Sequence, residues 1–144
     1  MPAYEALKAY GEAGYFSTVT AIGGFALAGQ GRYDEAELLV DEARAVGAED
    51  DVSTQAYWRA GKALILAGRG DAEQARQLLE ESLEALDARR LFDRVLLHIN
   101  GAEVHRLAGR PAEARRLLDE ALVARREKGI VIGDDWLAQL QAEL

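Results

Sequence analysis

The sequence predicts an all-α fold, an α-solenoid of three antiparallel helix pairs with a short N-terminal helix and a C-terminal capping helix. Three observations carry that reading. A Leu-Ala-Gly triplet followed by a polar turn occurs at Leu27-Ala28-Gly29, Leu66-Ala67-Gly68 and Leu107-Ala108-Gly109. Behind each turn a helix opens with an alanine, Ala36, Ala75 or Ala114, at a constant spacing of 39 residues. Each of those helices repeats apolar residues at i, i+3, i+4 and i+7, a stripe that no single pair can bury but that stacked pairs bury continuously. A parallel sheet would need β-branched runs between the helices of the repeats, and none is present there. At 144 residues it suits one domain over 1–144, with units at about 15–48, 53–88 and 91–128 and the cap at 134–144.

Residues 3 to about 12 suit a short helix ending near Gly11 or Gly14. Tyr15 to Ala28 is almost uncharged and apolar on most sides, as in a helix packed between neighbours. Asp34 to Val46 carries Ala36, Leu39, Val40 and Ala43 as its buried stripe, leaving Asp41 and Glu42 in solvent. Ser53 is positioned to cap a helix over about 54–67, on which Gln55, Arg59 and Lys62 form one polar line. Asp71 and Gln74 have capping-box spacing before the stripe of Ala75, Leu78, Leu79, Ser82, Leu83 and Leu86. The third pair runs from about Leu91 to Ala108 and from Pro111 to Glu127. Its proline stands at the first turn, where a missing N–H has no partner to lose. In the last segment Trp136, Leu137, Leu140 and Leu144 share a face, which suits a helix covering the end of the stack.

Composition narrows the function. Seventeen basic against 25 acidic residues give a net charge of −8 with no Lys/Arg block, which disfavours nucleic acid as a partner. The absence of cysteine removes disulfides, thiol catalysis and thiolate metal sites together. The first residues lack a signal-peptide pattern, and no apolar run approaches the ~20 residues of a membrane span. The expectation is a cytoplasmic chain with no membrane partner. No phosphate loop exists, and Gly29-Gln30-Gly31 follows a helix rather than a strand, so it is a turn. Ser17, Ser53 and Ser82 have no nucleophile-elbow context, and no catalytic constellation or cofactor motif is found. Glu49-Asp50-Asp51 and Asp134-Asp135 precede helices, where carboxylates serve as caps.

The helix-turn-helix unit, its small Ala and Gly positions and Tyr33-Asp34-Glu35-Ala36 resemble a tetratricopeptide repeat lengthened from the usual 34 residues to 39. The segments 11–19, 30–37, 56–60 and 102–111 resemble the C-terminal repeat region of bacterial class III nucleotide cyclases and of large ATPase-type transcriptional regulators. The resemblance implies a regulatory or scaffolding repeat domain and imports no catalysis, since the cyclase and ATPase modules are absent. The chain departs from the family in placing Gly23, Gly61 and Gly101 inside the first helices of the units, Phe25 and Leu64 at charged positions, and His98 and His105 at apolar ones.

Two candidate sites follow. Aligning the units on the Leu-Ala-Gly triplets makes Arg59 equivalent to Asn100 and Lys62 to Glu103, and equivalent positions on successive first helices line the concave face of a solenoid. Arg59 and Lys62 would hold a carboxylate of an extended partner peptide, and Asn100 its backbone. The alternative is a small-molecule-binding protein with a hollow left by Gly23, Gly61 and Gly101 and lined by Phe25, Trp58, His98 and His105, taking a small apolar ligand, with an enzymatic general acid/base role left open for the two histidines. Close helix packing is the plainer explanation of the same glycines. His98 and His105 lie seven residues apart with no third ligand, so no metal site is expected. The expected partner is a protein or peptide, with self-association as a homodimer through the apolar N-terminal pair, since one following helix cannot cover Tyr15, Phe16 and Phe25 together.

Overall fold

A computed structural model describes residues 13–86, 91–128 and 134–144. The expected helix over residues 3–12 lies outside them. Among the described residues the chain is entirely helical: α1 (Ala13–Gly29), α2 (Tyr33–Val46), α3 (Val52–Gly68), α4 (Ala72–Ala85), α5 (Leu91–Leu107), α6 (Pro111–Lys128) and α7 (Asp134–Glu143). Pairs α1/α2, α3/α4 and α5/α6 pack internally; α3 also packs on α1 and α2, and α5 on α3 and α4. The result is the expected all-α stack of helix pairs. No described helix is long and apolar enough to cross a membrane.

The three turns inside the pairs are one structure made three times. Gly31, Gly70 and Gly109 have φ of 76°, 93° and 74°, the left-handed region that glycine enters without penalty. Each donates its N–H to the carbonyl three residues back (Ala28, Ala67, Arg106), and the next residue donates to the one five back, in the bonds Arg32 to Leu27, Asp71 to Leu66 and Arg110 to His105. This double closure is the Schellman ending of a helix, which satisfies carbonyls that would otherwise be orphaned.

The buried stripes meet in one core. Val40, Leu64, Ile65, Leu79, Leu97, Ile99 and Val104 are each at most 1% exposed, and burial of such side chains contributes about 1.5–3 kcal/mol apiece. Polar bonds tie the layers: Ser82 Oγ donates to Ala56 O at 2.8 Å, and Tyr57 OH to Asp93 Oδ1 at 2.6 Å. The cap of α3 is Asp51, not Ser53. Asp51 Oδ1 accepts from Thr54 N at 3.1 Å, and its Oδ2 accepts from Thr54 Oγ1 at 2.7 Å, Thr18 at 3.3 Å and Ser17 at 3.4 Å. One carboxylate therefore fastens the start of α3 to α1. Asp71 does cap α4, accepting from Gln74 N.

Of the aromatic residues expected to drive self-association, Phe16 and Phe25 are each 8% exposed, Phe25 edge-on to Tyr57, and the side chain of Tyr15 lies outside the described ones. The capping helix also reaches further than the last pair. Leu140 is buried, and with Gln139 and Glu143 it faces a small cleft bordered by Glu103 on α5 and Gly29 at the end of α1. Arg106 pairs with Glu143 at 3.1 Å, and Arg115 donates to Leu144 O at 2.6 Å.

Candidate functional site

Every face of α3 but one is covered by α1, α2, α4 and α5, and the remaining stripe is Gln55, Arg59, Lys62 and Leu66. This stripe is the floor of a groove of about 1000 Å³, walled by Arg44 at the end of α2 and by Gln74, Gln77 and Glu81 on α4. On the floor two cations lie over the Trp58 ring, the Arg44 and Arg59 guanidinium carbons 4.9 and 4.6 Å from its centroid. Gln55 locks the arrangement: its Oε1 accepts from Trp58 Nε1 at 3.0 Å and from Arg59 Nη1 at 2.8 Å. Lys62 reaches Glu37 Oε2 at 3.0 Å and Asp41 Oδ1 at 3.2 Å, and Arg69 holds the same Glu37 at 2.7 Å. Lys62, followed by Arg69, keeps the Glu37 carboxyl below its ordinary range. Arg59 Nε is buried and lies 3.5 Å from Glu81 Oε2 without a hydrogen bond. It is an unused donor on the groove floor.

The four residues expected to form one polar line do not come together. Arg59 and Lys62 share the groove, but Asn100 is fully buried, its Nδ2 donating to Ala60 O at 3.2 Å, and cannot meet a partner's backbone. Glu103 is turned toward α7 and is held by Arg106 at 2.7 Å. The reason is register. The left-handed glycines and the opening alanines both repeat at 39 residues, whereas the third Leu-Ala-Gly is displaced by two, ending on Gly109 itself. In the register set by the turns Arg59 corresponds to His98, Lys62 to Gly101 and Leu66 to His105. Asn100 corresponds to the buried Gly61, and Glu103 to Leu64.

The glycines leave no hollow at the centre of these helices. A Cβ on Gly61 would lie 3.0 Å from Val40 Cγ2 and 3.3 Å from the Phe25 backbone. One on Gly101 would lie 2.7 Å from Leu117 Cδ1 and 3.1 Å from Leu79 Cδ1. The space is filled, so close packing accounts for both glycines and the apolar-ligand reading loses its cavity. Gly23 is half-buried, Phe25 and Trp58 are packed, and His98 and His105 occupy separate clefts. His98 Nδ1 is 2.7 Å from Arg94 O and its Nε2 3.2 Å from Glu120 Oε2. Among the described residues no three of His, Asp and Glu converge as metal ligands.

Gly101 stands where Lys62 stands one unit earlier, and Leu79 and Leu117 pack against it. The corresponding face of α5 has a cleft at His98 and, separately, a cavity of about 280 Å³ at His105, ringed by Arg76, Arg110 and Arg116. Sequence reasoning missed these three arginines, because only the 39-residue register of the turns places them around His105.

A tetratricopeptide repeat profile matches residues 99–128, which cover the second half of α5, its turn and α6. No curated protein and no solved structure matches the chain significantly. Over that span the chain is similar to a tetratricopeptide repeat, and its stacked helix pairs are consistent with an all-α solenoid of that kind.

Proposed function

We propose that the chain is a non-catalytic protein-interaction domain of regulatory or scaffolding kind, which takes an extended acidic segment of a partner protein in the groove between α2 and α4. The repeat match supports a protein partner. The observation that carries the site is the buried, unused Nε of Arg59 beside Lys62 on the groove floor. A buried donor without an acceptor is costly, and a partner carboxylate would satisfy it with a charge-assisted bond. Glu37, Asp41 and Glu81, now paired with Lys62 and Arg59, are the carboxylates a partner segment would displace. The contacts of Arg44 and Arg59 with the buried Trp58 ring hold both guanidinium groups in place, so a partner segment is bound without ordering these long side chains afresh.

Selection from a displayed random-peptide library against the whole chain tests this. Enriched peptides should carry Asp or Glu and bind more weakly as salt is raised. The double reversal Arg59→Glu, Lys62→Glu should weaken them at least tenfold and favour basic peptides instead. Enrichment indifferent to the double reversal, or no enrichment, would remove this groove as the docking surface.

A further inference from the structure

We propose that the cavity between α4, α5 and α6, floored by His105 and ringed by Arg76, Arg110 and Arg116, binds a phosphate-type oxyanion. The site is distinct from the groove over α3 and stands independently of it. Two buried polar atoms there have no hydrogen-bond partner, His105 Nδ1 and Arg110 Nη1. His105 as a residue is 7% exposed. Buried polar atoms are nearly always satisfied, so two orphans on one cavity point to an absent acceptor. Arg110 is the least committed of the cations: its Nη2 lies 3.7 Å from Glu73 Oε2, beyond hydrogen-bond length. Arg76 is engaged by Glu73 and by Glu80 at 2.6 Å, and Arg116 by Glu120 at 3.0 Å. Each guanidinium carries five N–H donors, so both retain donors for a second acceptor.

The cavity lining gathers three arginines and two acids, Glu80 and Glu113, while Glu73 and Glu120 hold the arginines from the rim and are the carboxylates an incoming anion competes with. Arginine forks match phosphate oxygens in pairs, and α6 begins at Pro111 beside Arg110, adding the positive end of a long helix. About 280 Å³ exceeds what one ion fills and lies near the small end of ordinary ligand pockets. The shared chemistry is therefore the phosphate group, free or carried on a small organic molecule. Burial, then Arg110, depresses the His105 pKa, against the opposing pull of Glu113 and Glu80 and with a further push down from Arg116. An anion in the cavity offsets those cations and raises it, so binding takes up a proton and tightens as pH falls.

The chain has two histidines, and the second, His98, lies in a separate cleft and serves as the internal control. The experiment is to follow both imidazole Cε1–H resonances of the full chain while adding inorganic phosphate, glucose 6-phosphate or sodium chloride at matched ionic strength. Either phosphate should move His105 saturably, chloride should not, and His98 should stay. Tighter binding of glucose 6-phosphate assigns the group to an organic carrier; equal binding assigns it to free phosphate. Arg110→Gln and, separately, Arg76→Gln should weaken binding roughly tenfold to a hundredfold, the loss expected for a bond to a charged group. Sulfate, whose charge is constant across this range, should bind more tightly at about pH 5.5 than at about pH 7.5. A His105 response no different from that to chloride, or full affinity in both arginine variants, would overturn the assignment.

Discussion

Gly24 and Gly29 lie on the same helix under opposite constraints. A Cβ at Gly24 would come within 2.7 Å of Val40 Cγ2, 3.1 Å of Val40 N and 3.3 Å of Ala36 O, so backbone as well as side chain would have to yield. At Gly29 nothing lies within 4 Å. Gly24→Ala is expected to destabilise by about 1–3 kcal/mol through overpacking, despite the better helix propensity of alanine. Gly29→Ala should stabilise by about 0.5–1 kcal/mol. Urea unfolding of both variants checks the pair of signs. Asp51 gives a second prediction at this scale. Burial acts to raise its pKa, but hydrogen bonds from the Thr54 hydroxyl and N–H, then from Thr18 and Ser17, outweigh it and leave the carboxyl below its ordinary 3.8. A carboxylate lowered on folding stabilises fully above the unfolded value and loses that contribution as pH falls through the folded one. The stability gap between wild type and Asp51→Asn should therefore be constant near neutrality and shrink below about pH 4, as thermal unfolding across pH would show. The acid run 49–51 suggested a cap, but which member served was not legible, because the hydroxyls that single out Asp51 come from α1, more than thirty residues away.

At the scale of elements, helices and their apolar stripes were readable because periodicity alone defines them: Ala36, Val40 and Ala43 are fully buried, as their spacing required. The site was misread through a different signal. Leu-Ala-Gly marks where a helix runs out, but the register is set by the glycine with positive φ, and in the third unit the two features are displaced by two residues. That displacement exchanged buried Asn100 for exposed polar surface and hid the correspondence of Leu66 with His105. The left-handed glycines are accordingly sensitive. Gly70→Ala should cost about 1–2 kcal/mol from its backbone alone, since nothing lies within 4 Å of the new methyl group. Denaturant unfolding of this variant beside Gly29→Ala separates conformational strain from packing, because both sites are open and only Gly70 has positive φ.

For the whole molecule, protection should follow the number of covered faces. Among the described helices, only α3 packs against helices on both sides in both layers, α1, α2, α4 and α5, whereas α6 packs mainly on its own pair. In a stacked array, terminal units open more cheaply than central ones. Hydrogen exchange read by mass spectrometry should find the slowest amides in α3 and faster ones in α6 and α7; slowest exchange in α6 would refute a centre-weighted stack.

The three Schellman turns carry a consequence for how such a chain can change length. Each turn delivers its following helix at a fixed rotation, and a helix advances about 100° per residue. Adding one residue between Gly70 and Ala75 would swing Leu79 and Ser82 out of the core and bring charged neighbours in. Duplicating a whole 39-residue unit would leave every rotation as it was. The molecule is therefore intolerant of small insertions where its turns are tightest, yet can grow by whole copies, each new copy bringing another groove whose lining is set by the residues at positions 59, 62 and 66 of the copied unit.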